Sequence, residues 1–310
     1  MQPSCLLVFS ILGFLSLIKL IFTLLKWIFI TFIRPPKNLK NYGSWAMITG
    51  ATDGIGKAFA FQLAQKGINL ILVSRNIDKL KQVSNEVMSV HPTTNIKIFV
   101  VDFASNDMKA NVREMQEVID CEKLDVGVLI NNVGVTYDTA RYFHEVEEEI
   151  WMKVMKVNVE GTSYVTKAVI KGMIERKRGG AIVSIGSGAA IVVPSHPLYA
   201  IYAASKAYID QLSRSLHVEY KHIGIDVQCQ VPLYVSTKMA SQVALVHKPS
   251  LFIPTADDYV EAAIRQIGYE FRCAPHWAHS VQWFFASLTP DSFLDAWRLS
   301  IGIRRRGLVA

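Results

Sequence analysis

A buried strand, a glycine-rich turn and a helix follow one another early in the chain, and this succession limits the possible folds more than any other feature. Residues 45–49 are apolar enough for a buried strand, and glycine occupies positions 50, 54 and 56 in the turn after it. A helical pattern then covers residues 57–66. Glycine lets a backbone approach a ligand closely, and a helix N-terminus favours negative charge, so this unit predicts a pyrophosphate site. The glycine spacing is not the standard Gly-x-Gly-x-x-Gly, and the interpretation depends on the flanking strand and helix.

The alternation of strands and helices continues along the chain. Apolar runs predict further strands at residues 69–73, 95–101, 126–130, 180–185 and 225–231. Helical patterns separate several of them, at residues 78–90, 107–120 and 145–176. Strands that alternate with helices indicate a parallel sheet covered on both faces. The expected fold class is therefore α/β, a Rossmann-type doubly wound parallel sheet in a single domain of residues 43–275. We expect residues 1–42 to form a hydrophobic anchor and linker, and residues 276–310 an aromatic and basic extension.

An almost continuous apolar run, residues 6–33, precedes the predicted domain. About 20 apolar residues suffice to span a bilayer, so the run is long enough for a membrane-anchor helix. Lys26 can extend toward the interface, but Lys19 lies near the middle of the run and is costly there, so a tilted span and a helix in the interface both stay open. No basic region precedes the run and no small-residue cleavage site closes it, which argues against a signal peptide. Basic residues follow the run, so the positive-inside rule predicts that the rest of the chain lies in the cytosol.

Charge and cysteine usage narrow the function further. The formal net charge is +7, and part of the excess lies at the two ends of the chain, including Arg304, Arg305 and Arg306. This distribution predicts contact with a membrane surface or an anionic substrate. No basic stripe with interleaved aromatic residues is present, so we expect no nucleic-acid partner. The four cysteines are scattered without metal-ligand or disulfide spacing, so no metal site is predicted and a reducing cytosol is expected.

Two side chains at the ends of predicted strands bear on the cofactor. Arg75 lies 19 residues beyond Gly56, where NAD-binding units carry an acidic residue for the ribose 2′-hydroxyl. A guanidinium there can hold a 2′-phosphate, which favours NADPH over NADH, although a solvated surface arginine is the alternative. Asp102 follows the next strand. Its carboxylate is expected either to accept a hydrogen bond from the adenine amine or to cap the following turn.

A tyrosine and a lysine four residues apart suggest acid–base chemistry. Tyr202 and Lys206 lie on one face of a predicted helix. A lysine ammonium beside a phenol favours the phenolate, so we expect the tyrosine pKa to fall from about 10 toward neutral. Such a tyrosine is a usable proton donor. The spacing alone is weak evidence, because a tyrosine anchor and a solvated lysine produce the same pattern.

Three motifs in combination resemble the short-chain dehydrogenase/reductase superfamily. They are Thr49-Gly50-x-x-x-Gly54-x-Gly56, Asn131-Asn132-x-Gly134 with Val133 in place of the usual alanine, and Tyr202-x-x-x-Lys206. The resemblance covers about residues 43–275 and implies catalytic roles for four residues: Tyr202, Lys206, Ser187 and Asn158. It implies that Ser187, at a strand exit, binds the substrate carbonyl, and that Asn158 holds a water linking Lys206 to solvent. The implied cofactor-binding residues are Gly50, Thr52, Asp53, Gly54, Ile55, Gly56, Arg75, Asp102, Asn131, Tyr202, Lys206 and Thr237.

Longer stretches resemble one branch of that superfamily, the membrane-anchored 3-ketoacyl-CoA reductases of very-long-chain fatty acid elongation, above all the plant ones. The stretches are residues 42–46, 52–60, 156–162, 186–190 and 224–234. Relatives of this branch include the 17β-hydroxysteroid dehydrogenases of types 3 and 12. The resemblance implies NADPH-dependent reduction of a long-chain 3-ketoacyl-CoA to the 3-hydroxyacyl-CoA at the endoplasmic reticulum membrane, with other elongation enzymes as candidate partners. Two alternatives stay open: a reductase of a steroid or other lipid ketone, and a non-catalytic NADPH-binding paralogue that acts as an assembly partner.

Two segments late in the chain carry weaker expectations. Residues 238–254 occupy the place where such enzymes have a mobile lid over the substrate. Residues 276–288 are aromatic and apolar but too short for a confident membrane span. They are expected to contribute to the core, with a substrate-tunnel wall and a membrane-dipping element as alternatives.

Overall fold

Parallel strands form one sheet in the order β3-β2-β1-β4-β5-β6-β7, in a computed structural model that describes residues 3–244, 246 and 248–307. The strands are β1 (Trp45–Thr49), β2 (Asn69–Ser74), β3 (Ile96–Val100), β4 (Val126–Asn131), β5 (Gly180–Ile185), β6 (Ile225–Gln230) and β7 (Arg272–Cys273). The strand order reverses between β1 and β4, where sheets of this kind have a ligand crevice. The predicted Rossmann-type α/β fold is confirmed.

Helices connect the strands and cover both faces of the sheet. They are α1 (Pro3–Ile28), α2 (Gly54–Gln65), α3 (Ile77–Val90), α4 (Met108–Cys121), α5 (Glu148–Val154), α6 (Thr162–Arg176), α7 (Gly188–Ile191), α8 (Ala200–Tyr220), α9 (Lys238–Ala244), α10 (Ala256–Gln266), α11 (Trp277–Ser287) and α12 (Asp291–Gly307). A π-helical segment, Met155–Gly161, joins α5 to α6. The long pattern predicted over residues 145–176 is therefore two α-helices with a wider turn between them.

Successive residues of each strand point to opposite faces, so the sheet separates two hydrophobic cores. On one face, Ile48 of β1 belongs to a cluster with Phe59 of α2 and Tyr259 of α10. On the other face, Met47 belongs to a cluster with Val165 of α6. A strand covered by helices on both faces has no solvent side, which explains why the strands appear in the sequence as continuous apolar runs.

Side-chain caps fix where the helices begin after the strands. Asp53 accepts a hydrogen bond from the Gly54 amide (2.9 Å) at the start of α2, and Asn76 accepts one from Lys79 (2.9 Å) at the start of α3. Thr255 does the same for α10, through the Asp258 amide (3.1 Å). These caps satisfy backbone N–H groups that the helix itself leaves free. They also hold the helix N-termini at the carboxyl edge of the sheet.

The chain forms two compact units, Met1–Pro36 and Lys37–Ala310. In the first unit, α1 continues into a π-helical segment, Phe29–Ile33, that ends ahead of the two prolines at 35 and 36. The stretch Phe9–Ile33 has a mean hydropathy of 2.0 and none of it is buried. Its length and composition are those of a helix able to cross a membrane, in agreement with the predicted anchor.

The C-terminal segment differs from the sequence-based expectation. Most of residues 276–288 form α11 (Trp277–Ser287), which buries only Ala278 and His279, while Phe285 is 63% exposed. The expected core role is therefore wrong for most of this helix, because only one face of it packs on the body. The following helix, α12, buries Leu294 and Arg298 and places Gly302 against Leu198.

Candidate active site

The carboxyl edge of the sheet opens into a cavity of about 1340 Å³. Residues from the glycine turn line it together with Ser187, Tyr202, Lys206 and Thr237. The C-terminal helices α11 and α12 supply another wall, with Phe285 among its residues. Motifs that lie far apart in the sequence thus meet in one chamber, and a segment outside the predicted domain closes part of it.

The glycine turn has the backbone geometry that its sequence predicts. Gly50 and Gly54 have φ angles of +65° and +49°, a region that side chains strongly disfavour. A Cβ on Gly56 would lie 2.2 Å from the Gly50 carbonyl oxygen, so only glycine fits there. Gly50, Asp53, Gly54 and Ile55 all line the cavity. The turn therefore presents bare backbone and a helix N-terminus to the space where a cofactor's phosphates would bind.

Hydrogen bonds tie this turn to the end of β4. The Asn132 side-chain amide donates to the carbonyls of Thr49 (3.0 Å) and Gly50 (3.1 Å). In return, the Thr49 hydroxyl accepts from the backbone amides of Asn132 (3.0 Å) and Val133 (3.1 Å). The ends of β1 and β4 are therefore held together at the point where the strand order reverses.

Asn131 is buried beside this connection, and its side chain is only half satisfied. Its amide nitrogen donates to the Thr166 hydroxyl (2.8 Å), which ties β4 to α6. Its side-chain oxygen is buried without a hydrogen-bond partner. Buried acceptors are normally paired, so this oxygen is available to a donor from a ligand. The orphan acceptor and the glycine cradle both fit a nicotinamide dinucleotide.

Tyr202 lies on α8 and faces the cavity with Ser187, which caps the short helix α7 through the Ala189 amide (3.1 Å). Burial raises the pKa of Tyr202 above its usual value, and the interaction with the Ser187 side chain lowers it only in part. The expected fall of this pKa toward neutral is therefore wrong. Desolvation disfavours the phenolate, so the phenol stays protonated at neutral pH.

Lys206 is buried on the same helix and donates to the Ile185 carbonyl oxygen (2.8 Å) at the end of β5. Burial lowers its pKa to about 8. The charge of Lys206 does not produce the expected lowering of the Tyr202 pKa. An ammonium has three N–H groups, so two remain for other partners.

Asn158 lies in the π-helical segment and is almost completely buried. Its side chain accepts from the Val135 amide (2.8 Å) and donates to the Val135 carbonyl (2.9 Å) and the Ser205 hydroxyl (2.9 Å). The wider π turn places this polar residue against α8. Such π segments often mark functional positions. A Cβ on Gly134 would lie 3.4 Å from Lys206 Nζ and 3.5 Å from Asn158 Oδ1, so the bare Gly134 keeps a gap open between them.

The remaining cofactor candidates lie at the same edge of the sheet: Thr237 lines the cavity, whereas Thr52, Arg75 and Asp102 do not. Arg75 is exposed just beyond β2, and the Thr52 hydroxyl lies 3.1 Å from the Ser74 hydroxyl at the end of that strand. Asp102 accepts a hydrogen bond from the Ala104 amide (2.9 Å). Of its two expected roles, the capped turn is thus present. Thr237, at the start of α9, packs close to Gly54, whose added Cβ would lie 3.1 Å from the threonine methyl carbon.

The segment expected to form a lid is partly helical. Helix α9 covers Lys238–Ala244, and Met239, Gln242 and Val243 line the cavity. Part of the expected lid, Leu245 and His247, lies outside the described residues. The described part forms a side wall of the chamber close to Thr237.

Several cavity residues were not anticipated from sequence. They are His196, Tyr199, Tyr234, Arg298 and Arg305. Arg305 donates to the Tyr234 hydroxyl (3.1 Å), and Arg298 donates to a ring nitrogen of His196 (2.7 Å). The signal in the sequence was the spacing of the two arginines, since seven residues are close to two helical turns. The sequence predicts that the terminal basic cluster contacts a membrane surface or an anionic substrate, and in the structure Arg305 and Arg306 fold back onto the body.

Comparison with known proteins assigns the family. The family model for short chain dehydrogenase matches residues 44–246. A very-long-chain 3-oxoacyl-CoA reductase-like protein of Arabidopsis thaliana is 56% identical over 308 residues, covering 99% of this chain and 97% of that protein. The very-long-chain 3-oxoacyl-CoA reductase of Anas platyrhynchos is 40% identical over 82% of this chain and 78% of its own length. The human inactive hydroxysteroid dehydrogenase-like protein 1 is 39% identical, over 85% and 77% respectively.

Solved structures agree with this fold. A short-chain dehydrogenase from Sphingobium yanoikuyae in complex with NADPH aligns with a TM-score of 0.66 and 25% identity, covering 78% of this chain and 92% of that one. A 7β-hydroxysteroid dehydrogenase aligns with a TM-score of 0.71 at 23% identity, over 84% and 99%. The chamber at the sheet edge is thus that of an oxidoreductase that uses a nicotinamide cofactor on a keto or hydroxy group. From the glycine turn to the Tyr202–Lys206 helix, the chain belongs to the short-chain dehydrogenase/reductase family, among the relatives of the very-long-chain 3-oxoacyl-CoA reductases.

Proposed function

We propose that the protein is an NADPH-dependent reductase that converts a long-chain 3-ketoacyl-CoA into the 3-hydroxyacyl-CoA in very-long-chain fatty acid elongation. The observation that carries the proposal is the cavity, in which Tyr202, Ser187 and Lys206 share one space with the glycine turn and an apolar wall. The names of the Arabidopsis and Anas relatives support the substrate class. A long acyl chain also suits a large chamber lined by apolar side chains.

A nicotinamide cofactor held at the glycine turn would supply the hydride for the carbonyl carbon. Tyr202 is the proposed proton donor to the carbonyl oxygen, so that the ketone becomes the alcohol. Its raised pKa keeps the phenol protonated before the reaction, as an acid catalyst requires. Ser187 is proposed to donate a hydrogen bond to the same oxygen, where negative charge develops.

Lys206 and Asn158 are proposed to return the proton to Tyr202. The ammonium of Lys206 keeps two N–H groups beyond its bond to Ile185, and they can hold the cofactor ribose and a water. Asn158 Oδ1 borders the gap beside Gly134 that Lys206 Nζ also borders. A water in that gap would connect the lysine to solvent, and the proposed role of Asn158 is to position it.

The remaining proposals concern specificity and location. Arg75 is proposed to hold the 2′-phosphate of NADPH, because its guanidinium is exposed at the end of β2 without a carboxylate partner among the described residues. The other proposed cofactor contacts are those of Gly50, Thr52, Asp53, Gly54, Ile55, Gly56, Asp102, Asn131 and Thr237. We place the anchor in the endoplasmic reticulum membrane by analogy with the membrane-anchored 3-ketoacyl-CoA reductases. The basic residues that follow the apolar run place the body in the cytosol. Other elongation enzymes are proposed partners at that membrane.

The test is NADPH consumption by the full-length membrane-embedded protein with a long-chain 3-ketoacyl-CoA and, separately, with a 17-ketosteroid. We expect turnover with the acyl-CoA and a loss of about 10²–10⁴-fold in the Tyr202→Phe variant, because general acid catalysis contributes about that much. NADPH binding should persist in the variant, since the ring remains. Turnover of the steroid alone would replace the proposed substrate, and near-normal turnover by the variant would remove Tyr202 from its role. If neither ketone causes NADPH consumption, the result would favour a non-catalytic protein, as the name of the human relative describes.

A further inference from the structure

Two arginines of α12 project into the chamber without an acidic counterpart. Arg298 and Arg305 are seven residues apart, about two helical turns, and both line the cavity. Within the described part of the chain, no aspartate or glutamate pairs with either guanidinium. The nearby carboxylates have other partners: Asp295 accepts from Ser195, Glu145 pairs with Arg306, and Asp138 pairs with Arg141.

Arg298 is the more buried of the two, with 8% of its surface exposed. Its guanidinium donates to a ring nitrogen of His196 (2.7 Å), and its Nε atom is buried without a hydrogen-bond partner. An arginine has no acceptor, so His196 must accept with an unprotonated nitrogen. Burial, together with the charges of Arg298 and Arg305, lowers the pKa of His196 to about 3, so the ring is neutral. The positive charge of Arg298 is therefore not compensated by its neighbour.

Arg305 extends the same positive region toward the catalytic residues. It donates to the Tyr234 hydroxyl (3.1 Å), and its guanidinium lies 5.5 Å from the centre of the Tyr234 ring. Although burial raises the pKa of Tyr234, the charges of Arg298 and Arg305 lower it below its usual value. Tyr234 is also close enough to Tyr202 to influence the pKa of that residue. The arginine pair thus lies beyond Tyr234, in the same chamber as the catalytic tyrosine.

The position of Tyr234 is itself secured by the C-terminal segment. His279 of α11 accepts from the Leu233 amide (3.3 Å) through Nδ1, and its Nε2 lies 3.1 Å from the Tyr234 carbonyl oxygen. Burial lowers the pKa of His279 to about 4, so one neutral tautomer makes both contacts. Helix α11 therefore holds the loop that carries Tyr234, and the next helix, α12, carries the two arginines.

Removing a cation from water without a paired anion is unfavourable, and buried charges in proteins are normally paired. A chamber that keeps the buried Arg298 and the partly buried Arg305 without an anion, beside an apolar wall, suits a ligand that brings its own negative charge. The wall includes Phe285, Phe293, Leu294 and Trp297. The complementary ligand has an oxyanion at one end and a long apolar part.

We propose that Arg298, Arg305 and the Tyr234 hydroxyl form a subsite that binds an oxyanion of the substrate. It rests on the proposed function in one respect, that the reacting ketone is part of an anionic lipid derivative. The oxyanion is a phosphate of a coenzyme A ester or the carboxylate of a free acid, and a guanidinium fork suits both. This subsite orients the substrate with its anionic end toward α12.

The test is calorimetry on the full-length protein in neutral detergent, saturated with NADP⁺ so that the cofactor site is occupied. The titrants are coenzyme A, a long-chain fatty carboxylate and uncharged pantetheine. Arg298→Gln and Arg305→Gln remove one charge each, while Arg304→Gln on the same helix is the matched control, because Arg304 is exposed and does not line the cavity. Arg298→Lys keeps the charge, and circular dichroism checks that each variant is folded.

We expect the Kd of the anionic ligand to rise at least tenfold in Arg298→Gln and Arg305→Gln, and to change less than twofold in Arg304→Gln. Arg298→Lys should recover part of the loss, and pantetheine binding should not respond to any variant. If only coenzyme A binding is weakened, the subsite binds a phosphate. If only binding of the fatty carboxylate is weakened, the subsite binds a carboxylate. Wild-type affinity of both Gln variants for both anions would overturn the proposal, as would a wild-type protein that binds neither.

A kinetic comparison separates this subsite from the reaction itself. A long-chain 3-ketoacyl-CoA and the uncharged N-acetylcysteamine thioester of the same acid carry the same reacting ketone. For a phosphate subsite, Arg305→Gln should raise KM for the CoA ester tenfold or more, with kcat and both constants for the uncharged ester nearly unchanged. An equal loss on both esters would contradict a charge-specific role. Absence of turnover in the wild type would count against the proposed function only, because the binding experiment does not depend on activity.

Discussion

At the scale of single residues, burial decides the chemistry of the site. Tyr202 and Lys206 are neighbours on one face of α8, yet their pKa values both shift in the direction that disfavours charge. Desolvation is the largest cause for each of them. The site therefore holds a protonated phenol next to a lysine whose ammonium is poorly solvated.

Lys206 gives the protein a pH-dependent stability of known sign. Its pKa is lowered to about 8 in the folded state from 10.5, so the unfolded chain binds more protons between these values. The charged form costs the folded state about 3 kcal/mol below pH 8, and this cost disappears as the pH rises to 10.5. In the absence of cofactor, the free energy of unfolding of the wild type should rise by that amount relative to Lys206→Met across this window. Urea unfolding of both proteins at several pH values measures it, and a constant difference would contradict the shift.

Arg75 tests the cofactor preference. Removal of a charge-assisted contact to a phosphate costs about 1.5–3 kcal/mol, so Arg75→Ala should raise KM for NADPH at least tenfold. KM for NADH should stay within about twofold, because NADH lacks the 2′-phosphate. Arg113, an exposed arginine on α4, serves as the control in an Arg113→Ala variant. Parallel loss for both cofactors would show that Arg75 acts on folding rather than on the phosphate.

At the scale of elements, the site depends on the connection between the ends of β1 and β4. Thr49 and Asn132 exchange hydrogen bonds across the two strands, and Asn132 also holds the carbonyl of Gly50. The glycine turn is thus positioned by a neighbouring strand as well as by its own sequence. Asn158 is likewise positioned by a π-helical turn, which places its side chain against Ser205 of α8.

Replacing Thr49 with valine should separate these two strand ends without changing the shape of the side chain. The substitution leaves the amides of Asn132 and Val133 without their acceptor. Each unsatisfied buried donor costs about 1–3 kcal/mol, so Thr49→Val should lower the free energy of unfolding by about 2–4 kcal/mol. Thr49→Ser keeps the hydroxyl and should lose about 1 kcal/mol or less. Denaturant unfolding compares them, and equal stability of the two variants would mean that the hydroxyl bonds are not what holds the turn.

At the scale of the whole molecule, the apolar helix and the cavity belong to different units of the chain. The apolar helix lies in Met1–Pro36, whereas the cavity-lining residues in the described part of the chain all lie from Gly50 onward. The C-terminal helices belong to the catalytic unit, where they close the chamber and contribute Arg298 and Arg305. A basic and aromatic terminus that resembles a peripheral extension thus lines the cavity.

This division predicts the effect of removing the first unit. A chain of residues 37–310 should fold and bind NADPH like the full-length protein, because every cavity residue is retained. It should no longer sediment with membranes after a high-salt wash, whereas the full-length protein should. Sedimentation and NADPH fluorescence measure the two properties. A folded short form that still sediments would assign membrane binding to the exposed apolar side chains of the body, such as Phe285 and Phe293.

The sequence by itself determined the strands β1 to β6, the glycine turn and the shared helical face of Tyr202 and Lys206 on α8, but not the short strand β7. These features are local, since a buried strand, a positive φ angle and a four-residue helical spacing are all written in neighbouring residues. The order of the motifs then sufficed to place them at one edge of a parallel sheet. For the same reason, the apolar helix at the start of the chain was predictable.

Only the tertiary structure decided the ionisation of Tyr202, the pairing of Arg298 with His196 and the role of the last two helices. Arg298 and His196 are 102 residues apart, and no local pattern connects them. A pKa depends on desolvation and on charges brought near through space. Burial therefore raises the pKa of Tyr202, and the expected lowering by Lys206 does not appear. Helix α11 has the apolar composition of a core helix, but which of its faces is buried depends on how far the rest of the fold can cover it.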